Sequence, residues 1–548
     1  MPHMRSPQER AEDLGALGKA MLELLHDAEI KYVPQLDHLK QVRLCNLVLK
    51  REGGRRALAF SMLLLRYPDQ LEVNTKDVLS LLDLADFEKR MKKKYPEGVD
   101  LGYAKGGRDN FELKSHPGAS NKVNLYFSNV FKGIADVRPS FAQMMNSRKH
   151  LLGGLFNDTA TAVIMYAYGA SGVLSDPFLV ASWAVNNPKE AKALSTVIKN
   201  CGLNGTRSGS MLCELNTLLG RAVGEIDVEK EVGYRCDRTL VKEAVVQVDQ
   251  EKLAKVVRSI IRREMKRKPV FEDPELMWKR RWVWCANGAH SKLLERKSSK
   301  WKTKFLRRMH RRVFAENCEG NPLLEWDGRS FFSFSEKLEH GKTRAIFGGD
   351  SVSYFCFEHL LKPVEKLWSN TRVVIDPGEG GTAGMCSRVR GLSKKRGGWH
   401  LMLDYDDFNS QHSLESMKTV IATLVDETGY DKLLGEKLSK SFDKSYVEAK
   451  GSVRKLEGTL MSGHRATTFL NSVLNLAYIQ VADEDFSKAA SLHVGDDVYV
   501  AIDSREQAIE TLDACASLGL RMNPLKQSYG ARTAEFLRLA MSKDKAFG

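Results

Sequence analysis

The stretch Ser491-Leu492-His493-Val494-Gly495-Asp496-Asp497-Val498-Tyr499-Val500 constrains this chain most. Two adjacent carboxylates interrupt an otherwise apolar, β-branched run. Such a run reads as two short strands joined at a Gly-Asp turn. Charges at that point are costly unless something cationic meets them. A divalent metal fits, because hard cations take carboxylate oxygens. A second acidic strand end stands upstream, in Leu401-Met402-Leu403-Asp404-Tyr405-Asp406-Asp407-Phe408-Asn409. Two acidic strand ends that converge make a two-metal site for in-line phosphoryl or nucleotidyl transfer.

The rest of the composition bears on the partner. The chain has 548 residues, enough for two or more domains, and its apolar fraction of 43% is ordinary for a globular protein. No apolar run reaches the roughly 18 residues of a membrane span, so no membrane partner is expected. The polar start (Met1 to Ser6) carries no secretory signal. Nine cysteines without a Cys-x-x-Cys pair argue against a zinc ribbon and a disulfide framework. The net charge is +15, from 84 basic and 69 acidic residues. Between Lys252 and Arg312 stand 21 Lys/Arg and 5 Asp/Glu, so that this segment holds all of the excess. Trp278, Trp282, Trp284 and Trp301 are interleaved with it. A lone charge run is usually the solvated face of amphipathic helices. The concentration here, with aromatics, favours a nucleic-acid backbone.

Residues 1–250 read as a helical region, with helical spacing at Leu14 to Ala28, Leu36 to Lys50, Arg56 to Leu65 and Lys189 to Ile198. Lys94 to Ser120 is rich in Gly, Lys and Pro and reads as loop. After the basic segment come a turn near Glu339 to Gly341, a helix from Tyr354 to Trp368 and a Gly-rich loop at Asp376 to Gly381. From Trp399 strands and helices mix. Trp399–Tyr405 is a strand, Leu414–Thr428 and His464–Ala482 are helices, Ser491–Ile502 is the hairpin, Arg505–Leu518 a helix and Glu535–Ala540 a last strand. An antiparallel sheet with helices on one face is an α+β fold.

Asp404 and Asp496 are the expected metal ligands, with Asp497 a third. Asp406 and Asp407 are expected to face solvent or a basic neighbour. Between the acidic segments lies Ser462-Gly463-His464-Arg465-Ala466-Thr467-Thr468-Phe469-Leu470-Asn471-Ser472, a glycine loop running into a helix. Thr467 and Asn471 share one helical face, where small polar side chains can read a ribose 2′-hydroxyl. Ser462 as a helix N-cap, with two satisfied buried polar residues, is the plainer account of the same segment. Lys342-Thr343-Arg344 is a cationic strand suited to a triphosphate. It fails the phosphate-loop pattern, because Glu336 stands where a glycine is required. Lys526 can protonate a departing pyrophosphate, although an isolated lysine is usually a surface residue.

In order and spacing, these segments resemble the motifs of viral RNA-dependent RNA polymerases. Lys342-x-Arg344 looks like motif F, Asp404 to Asn409 like motif A, Ser462-Gly463 to Asn471 like motif B and Gly495-Asp496-Asp497 like motif C. Lys526 falls where motif D has its lysine, and Glu535 to Arg538 looks like motif E. The wording of the Asp404–His412 and Ser462–Thr467 segments is similar to totivirus-like double-stranded RNA viruses. The resemblance covers about residues 280 to 540. It implies a right-handed fingers–palm fold, with fingers at 251–398, palm at 399–548 and a fingers insertion around 429–457. It implies templated RNA synthesis from ribonucleoside triphosphates with Mg²⁺ or Mn²⁺, replicating and transcribing a viral, double-stranded RNA genome. Catalysis would fall to Asp404, Asp496, Asp497 and Lys526. Nucleotide binding would fall to Lys342, Arg344, Asn409, Ser462, Gly463, Thr467 and Asn471. A capsid protein is an expected further partner, in the virion interior or host cytoplasm. Asn409 departs from many positive-strand polymerases, which have an aspartate there. Only ten residues follow Arg538, which leaves no room for a thumb. A missing thumb, a fragment of a longer chain and an exposed apolar face near the C-terminal end are therefore expected. A reverse transcriptase and a non-catalytic RNA-binding virion protein are the alternatives.

Overall fold

The computed structural model describes residues 75–547, apart from 81, 102–110, 113–124, 201, 222–223, 303–309, 340, 379, 395–398, 504, 523–527, 531–532 and 542–544. The three helices expected between Leu14 and Leu65, most of the Lys94–Ser120 loop and Lys526 lie outside the described residues. The chain divides into two compact units, one of residues 1–225, 338–343 and 524–548, the other of 226–337 and 344–523.

In the first unit the helix Pro177–Asn186 is buried along almost its whole length. Its sequence is apolar all round, as a central helix must be. Pro177 pre-sets the first turn, and the Asp176 side chain accepts from Leu179 N. Helices Leu84–Lys94, Asn157–Ala170 and Pro188–Asn200 pack around it; the last of these matches the helix expected at Lys189–Ile198. The strand expected at Glu535–Ala540 is instead two short antiparallel strands, Ala534–Phe536 and Leu539–Met541. Leu537 and Arg538 between them adopt φ of 52° and 64°. Two consecutive positive φ values make the tight hairpin turn that normally demands Asn-Gly, so this sequence carried no signal for it. Glu535 accepts from Lys199 Nζ (2.6 Å) and Asn204 Nδ2 (2.8 Å). Phe536 and Met541 are buried. The exposed apolar face expected here is absent: among the described residues, no exposed large hydrophobic lies beyond Leu433.

The second unit holds the acidic segments. Its first sheet contains β3 (Trp399–Leu403), β6 (Ala490–Val494) and β7 (Asp497–Ile502), in the order β6-β7-β3, with the β6–β7 and β7–β3 pairs both antiparallel. Another sheet has the order β2-β1-β4-β5, with β1 Ser330–Glu339, β2 Lys342–Gly349, β4 Ser445–Ala449 and β5 Ser452–Lys455. Its β1–β4 pair is parallel, so the architecture is α+β with mixed as well as antiparallel pairing.

The helices are α1 (Gln250–Glu264), α2 (Ser351–Leu367), α3 (Leu414–Thr428), α4 (Thr467–Ala482) and α5 (Arg505–Ser517). Helix α4 is buried from Phe469 to Val481 and packs against α1, α3 and β6. Leu253, Val257, Ile260 and Ile261 form the buried face of α1. From its outer face Arg258 and Arg262 reach Glu427 on α3, at 2.9 and 2.7 Å. Glu264, fully buried at the end of α1, accepts from the backbone N–H groups of Thr371, Arg372 and Val373. That segment in turn pairs with His493 on β6. A carboxylate so supplied with donors has its burial compensated, and it anchors the edge of the acidic hairpin.

Candidate active site

The turn between β6 and β7 is fixed from α4. Gly495 has φ 59°, a left-handed conformation that suits glycine. Its N–H donates to Ser472 Oγ (2.8 Å), and its carbonyl accepts from Asn475 Nδ2 (2.9 Å). Asn475 Oδ1 accepts from Tyr405 Oη (3.2 Å) and from His493 Nδ1 (2.8 Å). One helix side chain thus ties both acidic segments together. With Nδ1 donating, His493 Nε2 accepts from Ser491 Oγ (2.9 Å), which accepts from Arg372 Nη2 (2.7 Å). Burial first, then the charge of Arg372, pushes the His493 imidazole well below its usual range, so it is neutral as this chain requires.

Register places the carboxylates. Leu403 pairs with Val498 and Val494 with Asp497. Asp404, one residue beyond β3, therefore comes beside Asp497 at the same sheet end. Asp496, in the turn between Val494 and Asp497, stands at that same end. Asp496 and Asp497 are exposed and Asp404 is half-buried. Asp406 and Asp407 are exposed, as expected. Among the described residues no three His, Cys, Asp or Glu side chains close into a metal-holding group. Two carboxylates with an open side still suit Mg²⁺ or a similar hard ion, which usually takes one or two carboxylates and completes its shell with water and substrate phosphate.

The loop before α4 meets β2. Phe347 N donates to Ser462 Oγ (3.1 Å), and Gly463 bridges to Gly348. A Cβ on Gly463 would stand 2.2 Å from Phe347 O, so only glycine permits this approach. Ser462 is not an N-cap: the helix starts at Thr467, whose Oγ1 lies 2.9 Å from Met461 O and 2.7 Å from His464 O. The Thr467 hydroxyl closes the loop. Asn471 Nδ2 donates to Asn409 Oδ1 (2.8 Å), joining the two segments expected to read the ribose. Arg344 and Lys342 are both exposed on β2. Lys342 Nζ is 3.8 Å from Glu339 and belongs to the first unit. The residues missed in sequence are Tyr405, His412, Ser472, Asn475 and His493. In sequence Ser472 and Asn475 are two polar positions of a helix that also carries Asn471, Tyr478 and Gln480, which does not single them out.

The model of the family described as viral RNA-directed RNA polymerase matches residues 103–548. The chain belongs to this family. A probable RNA-directed RNA polymerase of Helminthosporium victoriae virus-190S is 35% identical over 584 aligned residues, covering 100% of this chain and 68% of the relative. One of Leishmania RNA virus 1 - 1 is 36% identical over 451 residues, covering 80% and 50% respectively. Of the relative in Saccharomyces cerevisiae virus L-A, 27% identical, this chain spans 31%. A solved structure, an insertion-loop deletion mutant of the RNA-dependent RNA polymerase of a human picorbirnavirus, aligns at 13% identity. That alignment covers 58% of this chain and 68% of that one at a TM-score of 0.36, too distant a likeness to argue from.

The basic segment of the polymerase is divided in role. Trp278 and Trp301 are buried and Trp284 is half-buried against Phe355, so these rings are core rather than a stacking surface. Trp282 is exposed, with the Arg281 guanidinium 4.3 Å over its ring. Several cations are paired: Arg258 and Arg262 with Glu427, Arg296 with Glu448, and Lys300 with Glu325. A cavity of about 740 Å³ is lined by Arg267, Lys268 and Arg280 of this segment and by Lys362 and Lys366 of α2; Arg280 pairs with Glu272 and Lys362 with Glu358. No helix among the described residues is long and apolar enough to cross a membrane.

Proposed function

We propose that this chain supplies the fingers (251–398) and palm (399–548) of a polymerase that joins ribonucleotides on an RNA template, within the replication and transcription of a viral double-stranded RNA genome. The observation that carries the reading is the meeting of two acidic strand ends on adjacent antiparallel strands, pinned by one asparagine. Asp404 and Asp496 would hold the divalent ions, Mg²⁺ or Mn²⁺, with Asp497 beside them. Bound there, such ions stabilise the entering and leaving oxygens of an in-line displacement. Arg344 and Lys342 bind the triphosphate from β2. Ser462 and Gly463 seat β2 against the loop, and Thr467 holds the loop's shape. Asn409 and Asn471 read the ribose, and Lys526 gives a proton to departing pyrophosphate. The basic cavity offers charge for an RNA backbone. A capsid protein is the macromolecular partner of such an enzyme, in the virion or host cytoplasm.

The test is nucleotide incorporation on single-stranded RNA with Mg²⁺ or Mn²⁺, primed and unprimed, for the chain and for Asp496→Ala. Template-dependent incorporation that Asp496→Ala abolishes, with RNA binding unchanged, is expected. Bound RNA without incorporation by either protein points to the non-catalytic RNA-binding alternative.

A further inference from the structure

Behind the Asn409–Asn471 amide pair lies a chain of hydrogen bonds with a single direction. His412, fully buried, places Nε2 2.8 Å from Asn471 Oδ1 and Nδ1 3.3 Å from Tyr478 Oη. Tyr478 is itself fully buried. Asn471 gives its Nδ2 to Asn409, so only its oxygen faces His412. An amide oxygen can only accept. His412 must therefore carry its proton on Nε2, which makes Nδ1 the acceptor for the Tyr478 hydroxyl. Burial pushes the His412 imidazole down to about 4, leaving a single N–H to allocate. The donors run from Tyr478 through His412 and Asn471 to Asn409. Packing supports the ring: Phe408 meets it edge-on, with centroids 4.5 Å apart.

The last link sets the chemistry of the site. Asn409 Oδ1 is occupied by Asn471, so the Nδ2 amino group is the end turned away from the chain. An aspartate at 409 could offer only oxygens to a sugar, whereas this amide offers a donor.

We infer that His412 is a positioning residue for sugar selection. Through its Nε2 proton it orients the Asn471–Asn409 pair so that Asn409 presents an N–H to the 2′-oxygen of the incoming ribonucleotide. The inference rests on the ribose-reading role proposed for Asn409 and Asn471. A site built to donate to a hydroxyl rejects a substrate that lacks it, because the buried donor is left unpaired. His412 acts on discrimination, not on the transfer itself.

The experiment compares kcat/KM for ATP and dATP in His412→Phe, His412→Gln and Asn409→Leu. Phe keeps the aromatic packing and loses the donor; Gln can donate to Asn471 and accept from Tyr478. His412→Phe is expected to lower the ATP-over-dATP ratio about tenfold, the loss of one buried hydrogen bond, and His412→Gln to restore most of it. A lowered ratio in Asn409→Leu with none in His412→Phe overturns the inference and leaves the ribose reading standing. An unchanged ratio in Asn409→Leu overturns both. Imidazole ¹⁵N shifts of the unmodified chain supply a readout independent of turnover and of variant folding. A protonated Nε2 beside a bare Nδ1 is expected, and the opposite tautomer refutes the directional chain.

Discussion

Replacing Asn475 by alanine should detach the acidic turn from its helix. Four groups lose a partner at once: the Gly495 carbonyl, the Asp497 carbonyl (3.4 Å), the Tyr405 hydroxyl and His493 Nδ1–H. Gly495 is half-buried, so water can meet its carbonyl, but Tyr405 is 5% exposed and His493 is 0% exposed. An orphaned buried polar group costs about 1–3 kcal/mol, so two of them give about 2–6 kcal/mol. That is a large part of the roughly 5–15 kcal/mol of a typical fold. Ser472→Ala makes the comparison, since it removes only the acceptor of the half-buried Gly495 N–H and should cost about 1 kcal/mol. Urea unfolding at pH 7.5 measures both. Incorporation assayed well below the unfolding midpoint should fall about 100-fold in Asn475→Ala, the penalty for an ångström-scale misplacement of reacting groups. A cost for Asn475→Ala below about 1 kcal/mol, or no greater than that of Ser472→Ala, would refute the claim that this asparagine holds the two acidic segments together.

Three further outcomes are expected. His412 and His464 are buried neutral, with burial pushing them from 6.5 down to about 4 and about 3. The folded state therefore binds fewer protons than the unfolded one: this stability is complete above pH 6.5 and is lost as pH falls from there toward 4. The pair should remove about 2 kcal/mol between pH 6 and pH 5, and unchanged urea midpoints over that interval would contradict it. Gly463→Ala should cost about 2 kcal/mol and loosen β2, because its Cβ meets backbone on two residues. Gly133→Ala, in a helix with nothing within 4 Å, should be neutral or stabilising, and equal effects at the two sites would exclude the steric account. Charge reversal at Arg267, Lys268 and Lys366 should weaken single-stranded RNA binding and flatten its dependence on log salt by about 0.7 for each phosphate no longer neutralised. Fluorescence anisotropy over a KCl series reads the slope, and an unchanged slope would remove the cavity from the RNA path.

Where local rules and tertiary packing agreed, the sequence was readable. Helix α3 runs over the residues its spacing predicts because Ser413 caps one end and Gly429 turns left-handed at the other. The acidic hairpin was legible for the same reason, a β-branched run broken at a glycine. Helix α4 begins three residues later than its pattern suggests. His464 and Ala466 are buried like helix residues, but they belong to a loop that Thr467 closes. The tryptophans of the basic segment looked like an RNA surface because composition cannot say which way a ring points. Of the site, carboxylates and amides were visible as residue types at suggestive spacings. Asn475 and His412 were not, since a buried polar residue shows its role only when its partners, 70 and 59 residues away in sequence for Tyr405 and Asn471, are known.

The pairing of Glu535 with Lys199 and Asn204 has a consequence for how the chain is made. Residues 226–337 and 344–523 leave the ribosome between the halves of the other unit. The unit bearing Asp404 and Asp496 can therefore settle during synthesis, since domains generally fold as units in the order they emerge. The N-terminal helices must wait, their last strands still unmade, with the surface around Leu203–Gly205 that those strands cover still open to the cell. Aggregation during expression should therefore begin in that half, and co-expressed chaperones should act there.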